Sequence, residues 1–386
     1  MTAIAGIMAQ AWGLAEATLD TPLAFAATDA FDFMEMSFTP NLDFSKLVSH
    51  VGTGSLQGEV EEKRGGEWSA KIYVAPTSLG VAPDAGFLLE HSLGQETVSG
   101  GASVTYSLLD VAPSGLQLTR RITDGLLEQI NGAWIEQMQF EITGGDEPFI
   151  AVSGGFASYA MLMQGATVLG AEATAQTDIE LASGDARLVR PNAYIKFTGD
   201  DGTAGAGYLV TAVDYDTDII TISPGIVGSG LSGGESLLPN VPGQTLAGTV
   251  VGGISCGMSL GGTTLGGISL KTTFDTGIRA LSNEATANRP NRLVRGPRTI
   301  EGTLDAYYLG ESAPFIGGAW NGNLLAIIQR AGADTAAARM KINTPNSRLG
   351  VIGEFDLPDD DAAGVTIPFV ARQNAAAKDE MTILFD

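Results

Sequence analysis

A few stretches of this chain have the residue types of a chemical site, and their spacing decides what each can do. Asp214-Tyr-Asp-Thr-Asp218 begins like a calcium loop, in which alternate carboxylates wrap a hard cation. Its sixth position is Ile219, where the sharp turn needs glycine, and its twelfth is Gly225, which has no carboxylate to offer. A hairpin turn between strands over 209–213 and 219–222 accounts for the same residues better. Gly228-Ser-Gly-Leu-Ser-Gly-Gly234 has the spacing of a dinucleotide-binding turn. The prolines in Glu235-Ser-Leu-Leu-Pro-Asn-Val-Pro-Gly243 rule out the helix that would face the phosphates, and no acidic residue stands where a ribose partner belongs. That stretch reads as a loop. The histidines, His50 and His91, are far apart and have no serine elbow nearby, so they make no triad. Carboxylates are abundant, but nothing in their spacing singles out an acid–base pair. The expectation is a protein that is not an enzyme and needs no cofactor.

The one basic cluster is Arg279, Arg289, Arg292, Arg295 and Arg298, which Pro290 and Pro297 keep extended. It reads either as a solvated connection that balances charge or as a contact to an acidic surface on a neighbouring subunit. Glu59, Glu61 and Glu62 are the candidate partners for such a contact.

The elements that would position these residues follow from composition. The 386 residues are 44% hydrophobic and 17% charged, enough apolar area to offset the entropy of ordering. The 51 glycines have no triplet period and fall between short apolar runs, so they mark turns between many strands. With 21 basic against 44 acidic residues the formal charge is −23, a field that repels nucleic acid; a reader of DNA sequence is excluded, whereas a passage through which DNA slides is not. Cys256 is the only cysteine, which leaves neither a disulfide framework nor a cysteine zinc site. Met1 to Gly6 has no basic residue ahead of its apolar stretch, which argues against a secretory signal. The uncharged run Ser236 to Leu270 is broken by Gly252-Gly253, Gly261-Gly262 and Gly266-Gly267, and Ile254, Cys256, Met258 and Leu260 alternate as in a strand, so no membrane span is expected.

Along the chain, the Ala-rich residues 1–30 read as a short helix or an extended arm. A strand is expected over 31–44 with a turn at Pro40-Asn41, then a long loop or hairpin over 46–67, and a strand through Trp68, Ala70, Ile72 and Val74. A helix follows from Asp84, as its cap, to Gly94, as its stop. Strands are expected over 103–109, 115–122, 126–142, 148–156, 248–274, 299–309, 339–343, 350–357, 364–371 and 380–385. Residues 324–330 fit helix or strand, and Asp359 to Asp361 fit a turn. Residues 167–241 differ in character, with short strands over 189–197, 207–215 and 219–223 and a loop over 225–243. They read as a small all-β domain (167–241) inserted into a larger one (1–166 and 242–386).

Several stretches, in this order, resemble the tail tube family of long-tailed, non-contractile bacteriophages. They are Gly58-Glu-Val-Glu-Glu-Lys-Arg-Gly-Gly-Glu-Trp-Ser-Ala-Lys71 with the helix after it, and Asp124-Gly-Leu-Leu-Glu-Gln-Ile-Asn-Gly-Ala-Trp-Ile-Glu-Gln-Met138. The others are Gly296-Pro-Arg-Thr-Ile-Glu-Gly-Thr-Leu-Asp-Ala-Tyr-Tyr308, Val365-Thr-Ile-Pro-Phe-Val-Ala-Arg372 and the closing Glu380-Met-Thr-Ile-Leu-Phe385. The resemblance covers the chain outside 167–241. It implies a mainly β fold, a sandwich or barrel with one flanking helix, whose hexameric rings stack into a hollow tube for DNA ejection. Its partners would be further copies of the chain and the tape measure, tail terminator and distal tail proteins, with DNA passing the lumen without specific binding. The place would be the virion tail, with subunits made in the host bacterial cytoplasm. An alternative is a virion or cell-surface adhesin that binds carbohydrate or protein through the inserted domain.

Overall fold

Alternation of apolar and polar residues, interrupted every few residues by glycine, drives this chain into antiparallel sheets. The computed structural model describes residues 10–48, 56–123, 126–143, 146–252, 256–265, 267–282, 289–307, 322, 324–332, 339–350, 364–373 and 379–386. The fold is mainly β, and the described residues contain a single α-helix.

Strand β1 (Gln10–Ala15) is no arm: it runs inside a five-stranded sheet with the Trp12 side chain fully buried, and β2 (Ala30–Phe31) pairs along it. Strands β3 (Phe33–Val48) and β4 (Leu56–Tyr73) form a hairpin several times the usual strand length. Pro40, expected at a turn, lies within β3 opposite Gly66. This is tolerated because β3 is the edge of its sheet, where a missing N–H need not break a ladder. Trp68, Ala70, Ile72 and Val74 are buried, as their alternation predicts.

Helix α1 (Gly86–Leu93) ends at Gly94, whose φ of 105° lets its N–H reach the Glu90 carbonyl. Asp84 does not cap it. Its carboxylate instead accepts the N–H groups of Ala247 (3.1 Å) and Gly248 (3.0 Å), tying the chain that follows the inserted segment to the helix.

Strands β5 (Gly94–Ser99) and β6 (Ser103–Leu108) form a hairpin, and β7 (Leu116–Thr123) lies between β1 and β8 (Leu126–Ala133). The single strand expected over 126–142 is two strands in two sheets: after β8 the chain turns at Trp134–Glu136 and enters the large sheet as β9 (Gln137–Thr143). Strand β10 (Phe149–Phe156) makes the reverse crossing at Ala157 into β11 (Ser158–Met163), an edge of the five-stranded sheet. The corner depends on Gly154 and Gly155, where an added Cβ would stand 1.9 Å from the Trp134 carbonyl oxygen and 2.3 Å from its ring.

Strands β12 (Asp178–Glu180), β13 (Tyr194–Phe197), β14 (Tyr208–Asp214), β15 (Ile219–Ser223) and β16 (Leu237–Pro239) form a sheet of their own, ordered β12-β15-β14-β13-β16. The strand expected from 189 begins at Tyr194, because Asp185–Leu188 coil into a 3-10 turn ahead of it, and the loop expected over 225–243 contains β16. This sheet has a separate core, around Ile195, Phe197, Tyr208 and Ile220, to which Leu127 and Leu162 of the five-stranded sheet contribute.

The run expected as one strand over 248–274 divides into β17 (Cys256–Leu260), β18 (Thr263–Leu265) and β19 (Gly267–Asp275), with Gly261 and Gly262 at positive φ in the first turn. Strands β20 (Ile278–Leu281) and β21 (Arg292–Arg295) pair antiparallel as a two-stranded sheet, which holds Arg279, Arg292 and Arg295. Then come β22 (Thr299–Tyr307), β23 (Leu324–Gly332), β24 (Arg339–Leu349), β25 (Gly364–Ala371) and β26 (Thr382–Phe385). The stretch that fits helix or strand, 324–330, is strand β23. Gly350 is not in a strand, and the rest of the strand expected to 357 and the turn at Asp359 to Asp361 lie outside the described residues.

Among the described residues the large sheet has 14 strands, with β18-β17-β23-β24-β25-β22-β19-β9-β10-β4-β3 as its main path, while β26 joins β24 to β6. One end packs on the five-stranded sheet and α1 around Phe140, Phe274, Trp68 and Tyr106; the other curls around Leu260, Leu304, Ile327 and Phe369. Across that curl Gln329, 1% exposed, donates to the Leu270 carbonyl (2.9 Å) and joins β23 to β19. No helix among the described residues is long and apolar enough to cross a membrane.

Glu16, 1% exposed, closes the end of β1 by accepting the N–H groups of Gly132 and Asp20, each at 2.8 Å. Burial outweighs these bonds, and its pKa is pushed up to about 8. The folded chain therefore holds this proton more tightly than the unfolded chain, and the contribution to stability falls as pH rises from 4.5 to about 8. Urea unfolding at stepped pH should show the wild type losing stability relative to Glu16→Gln across that window; parallel pH curves would contradict the assignment.

Candidate assembly surface

In an antiparallel ladder, directly opposed residues share a face, so register shows what the large sheet presents. One row runs Ser37, Ser69, Ser153, Gln137, Asp275, Thr299, and the next runs Glu35, Lys71, Ala151, Gln139, Thr273, Glu301, Val370. These residues are exposed or half-buried, while the alternate positions, Met36, Phe38, Ile72, Val152, Phe140 and Phe274 among them, are buried. The outcome is one broad face of small polar and charged side chains across β3, β4, β10, β9, β19, β22 and β25. The carboxylates of Glu35, Glu67, Glu141, Asp275, Glu301 and Asp305 outnumber Lys71 and Lys271, so the face is acidic. Short hydrogen bonds hold it: Gln139 donates to Glu141 (2.9 Å), and Thr366 to Asp305 (2.6 Å).

The β3–β4 hairpin outruns this sheet. Strand β10 pairs with β4 only from Tyr73 to Gly66, whereas β3 continues along β4 to the Val48–Leu56 pair. Beyond Gly66 the described ladder is two strands wide. The backbones of Glu59, Glu61 and Glu62 lie in this projecting half of β4, opposite Lys46 and Phe44 in the case of Glu59 and Glu61; their side chains lie outside the described residues.

The arginines expected to act together have separate partners. Arg295 donates to the carbonyls of Ser92 (2.6 Å) and His91 (3.0 Å), placing a cation on the last turn of α1, where the helix dipole favours it. Arg298, largely buried, bridges Asp110 (2.8 Å) and Glu380 (3.2 Å). Arg289 lies 3.5 Å from Asp20, and the half-exposed Arg279 3.7 Å from Asp275, a pair worth at most about 1 kcal/mol. Arg292 is exposed and has no ion-pair partner among the described residues, so it is the member of the cluster placed for an external contact. His91 is buried beneath Arg295, and desolvation together with that guanidinium pushes its pKa down to about 3, so it stays neutral.

The Asp214 to Asp218 segment is a hairpin turn. Asp214 accepts the N–H groups of Asp216 (3.0 Å) and Thr217 (3.3 Å), and Asp218 those of Gly184 (2.9 Å) and Ala186 (3.3 Å). Its carboxylates thus face backbone donors. Glu16, Gln129 and Asn131 are marked in the sequence only as polar residues at inward positions of an otherwise apolar strand or at its end.

Comparison with protein-family models gives no match, and comparison with curated proteins gives none either.

Arg295 and Arg292 should separate sharply in thermal melts. Arg295→Met removes a part-buried guanidinium with its charged hydrogen bonds to the end of α1 and should cost about 1.5–3 kcal/mol, while Arg292→Glu should stay within about 0.5 kcal/mol of wild type. Equal losses would show that Arg292 is structural.

Proposed function

We propose that this chain is a structural subunit of a phage tail tube, forming rings that stack into a hollow conduit for DNA. The observation that carries the reading is the projecting β3–β4 hairpin. A two-stranded ribbon has little stability of its own in water, and its open edges invite pairing with another chain. A neighbouring subunit meets both needs, and head-to-tail contacts that close around an axis make a ring. The hexameric count, the stacking and the tape measure, terminator and distal tail partners are contributed by the resemblance in sequence.

On this reading the acidic face of the large sheet lines the bore. Its carboxylates repel the DNA phosphates, so the strand passes without sticking. Arg292 and the Glu59, Glu61 and Glu62 arm are the contacts between subunits. The inserted sheet, docked on the far side through Leu127 and Leu162, sits on the outer wall.

Negative-stain images and sedimentation of the concentrated protein should show rings and tubes. Replacing residues 42–64 by an Asn-Gly turn should leave a monomer with its melting temperature nearly unchanged. Excising 167–241, with Leu127 and Leu162 changed to Ser to suit their new exposure, should leave the tubes intact. Assembly by the shortened hairpin variant as efficient as that of wild type would sink the proposal.

A further inference from the structure

Where the inserted sheet meets the five-stranded sheet, a cleft of about 530 Å³ opens, within the range of small-ligand sites. Arg190, Asn192 and Tyr215 line it from the inserted segment, and Asn131, Tyr159 and Arg289 from the rest of the chain. The junction is fixed by Gln129, 2% exposed, whose amide donates to the Asn192 carbonyl and to Asn131 Oδ1, both at 2.9 Å.

That second bond orients the Asn131 amide. Asn131 is 1% exposed, and its Nδ2 has no acceptor among the described residues. That donor is closed off from solvent, so Asn131 belongs to the floor of the cleft and does not present its amide to a ligand. Arg190 adds a held cation. Its Nη1 donates to the carbonyls of Arg187 and Val189, both at 3.0 Å, and its guanidinium stacks over the Tyr215 ring at 5.4 Å. No carboxylate pairs with Arg190 among the described residues, although acidic residues outnumber basic ones in the chain by 44 to 21. Its remaining N–H groups are free for an incoming anion, in the fork geometry that suits a carboxylate. Arg289, loosely held 3.5 Å from Asp20, supplies a second cation to the same cleft.

The lining also fixes the body of the ligand. The lining combines polar groups with the rings of Tyr215 and Tyr159, a mixture that suits a molecule with hydroxyl edges and C–H faces. We propose that this cleft binds the carboxylated sugars of an acidic, uronic-acid-containing oligosaccharide, with Arg190 holding the carboxylate and Tyr215 and Tyr159 flanking the sugar. Pro40, Asn41 and Gly65 of the β3–β4 hairpin also line the cleft, so binding is tested on the dilute, unassembled chain.

Titration calorimetry of the full chain with trigalacturonate tests this, with maltotriose as a neutral sugar and tricarballylate as a carboxylate without a sugar. Trigalacturonate should bind at least tenfold tighter than either control. Arg190→Gln and Tyr215→Ala, both at exposed positions, should each weaken it at least tenfold with unchanged melting temperatures. No binding of trigalacturonate, equal binding of tricarballylate, or variants that bind like wild type would each overturn the assignment.

Discussion

The register of the large sheet is the constraint from which the other features follow. Ser69 opposite Ser153, and Gln139 opposite Thr273, commit a whole face to small polar side chains, because each neighbour in the ladder inherits the phase of the last. A slip of one residue would exchange that face for Met36, Ile72, Phe140 and Phe274 and empty the core at the same stroke. Core and surface are thus one decision, made once and carried across seven strands. The glycine corner at Trp134 and the buried carboxyl of Glu16 then fix how the five-stranded sheet closes over the apolar side.

Among the described residues nothing pairs with the outer edge of β3, along a hairpin that runs past its last paired neighbour in the large sheet. Soluble proteins usually shorten, charge or cover such an edge. Here it is long, and the reading that it is completed by another copy gives it a purpose. The charge of −23 fits the same account, since an acidic bore and an acidic exterior both keep DNA from adhering. The arginine cluster contributes mostly within the chain, clamping α1 and the C-terminal segment, which leaves Arg292 as its outward member.

Much of this architecture was legible in the residues. The alternation of Trp68, Ala70, Ile72 and Val74, the span of β25 and the stop of α1 at Gly94 follow from local rules that tertiary packing did not override. Other features were set by distant partners. Pro40 is a strand residue because β3 is an edge; Asp84 holds residues 247–248 instead of its own helix; and Leu126 to Ile142 divides because one half pairs with β7 and the other with β19. The cleft was illegible for the same reason, since Asn131 and Arg190 meet only after the inserted sheet docks.

The central claim, that the polar face of the large sheet surrounds a bore, is tested most directly by a cryo-electron microscopy reconstruction of the protein assembled at high concentration. The account predicts a hollow, rotationally symmetric tube in which Ser153, Gln139 and Thr273 lie nearest the axis and the inserted sheet lies outermost. A tube with that face turned outward, or particles that stay single and have no bore, would contradict it.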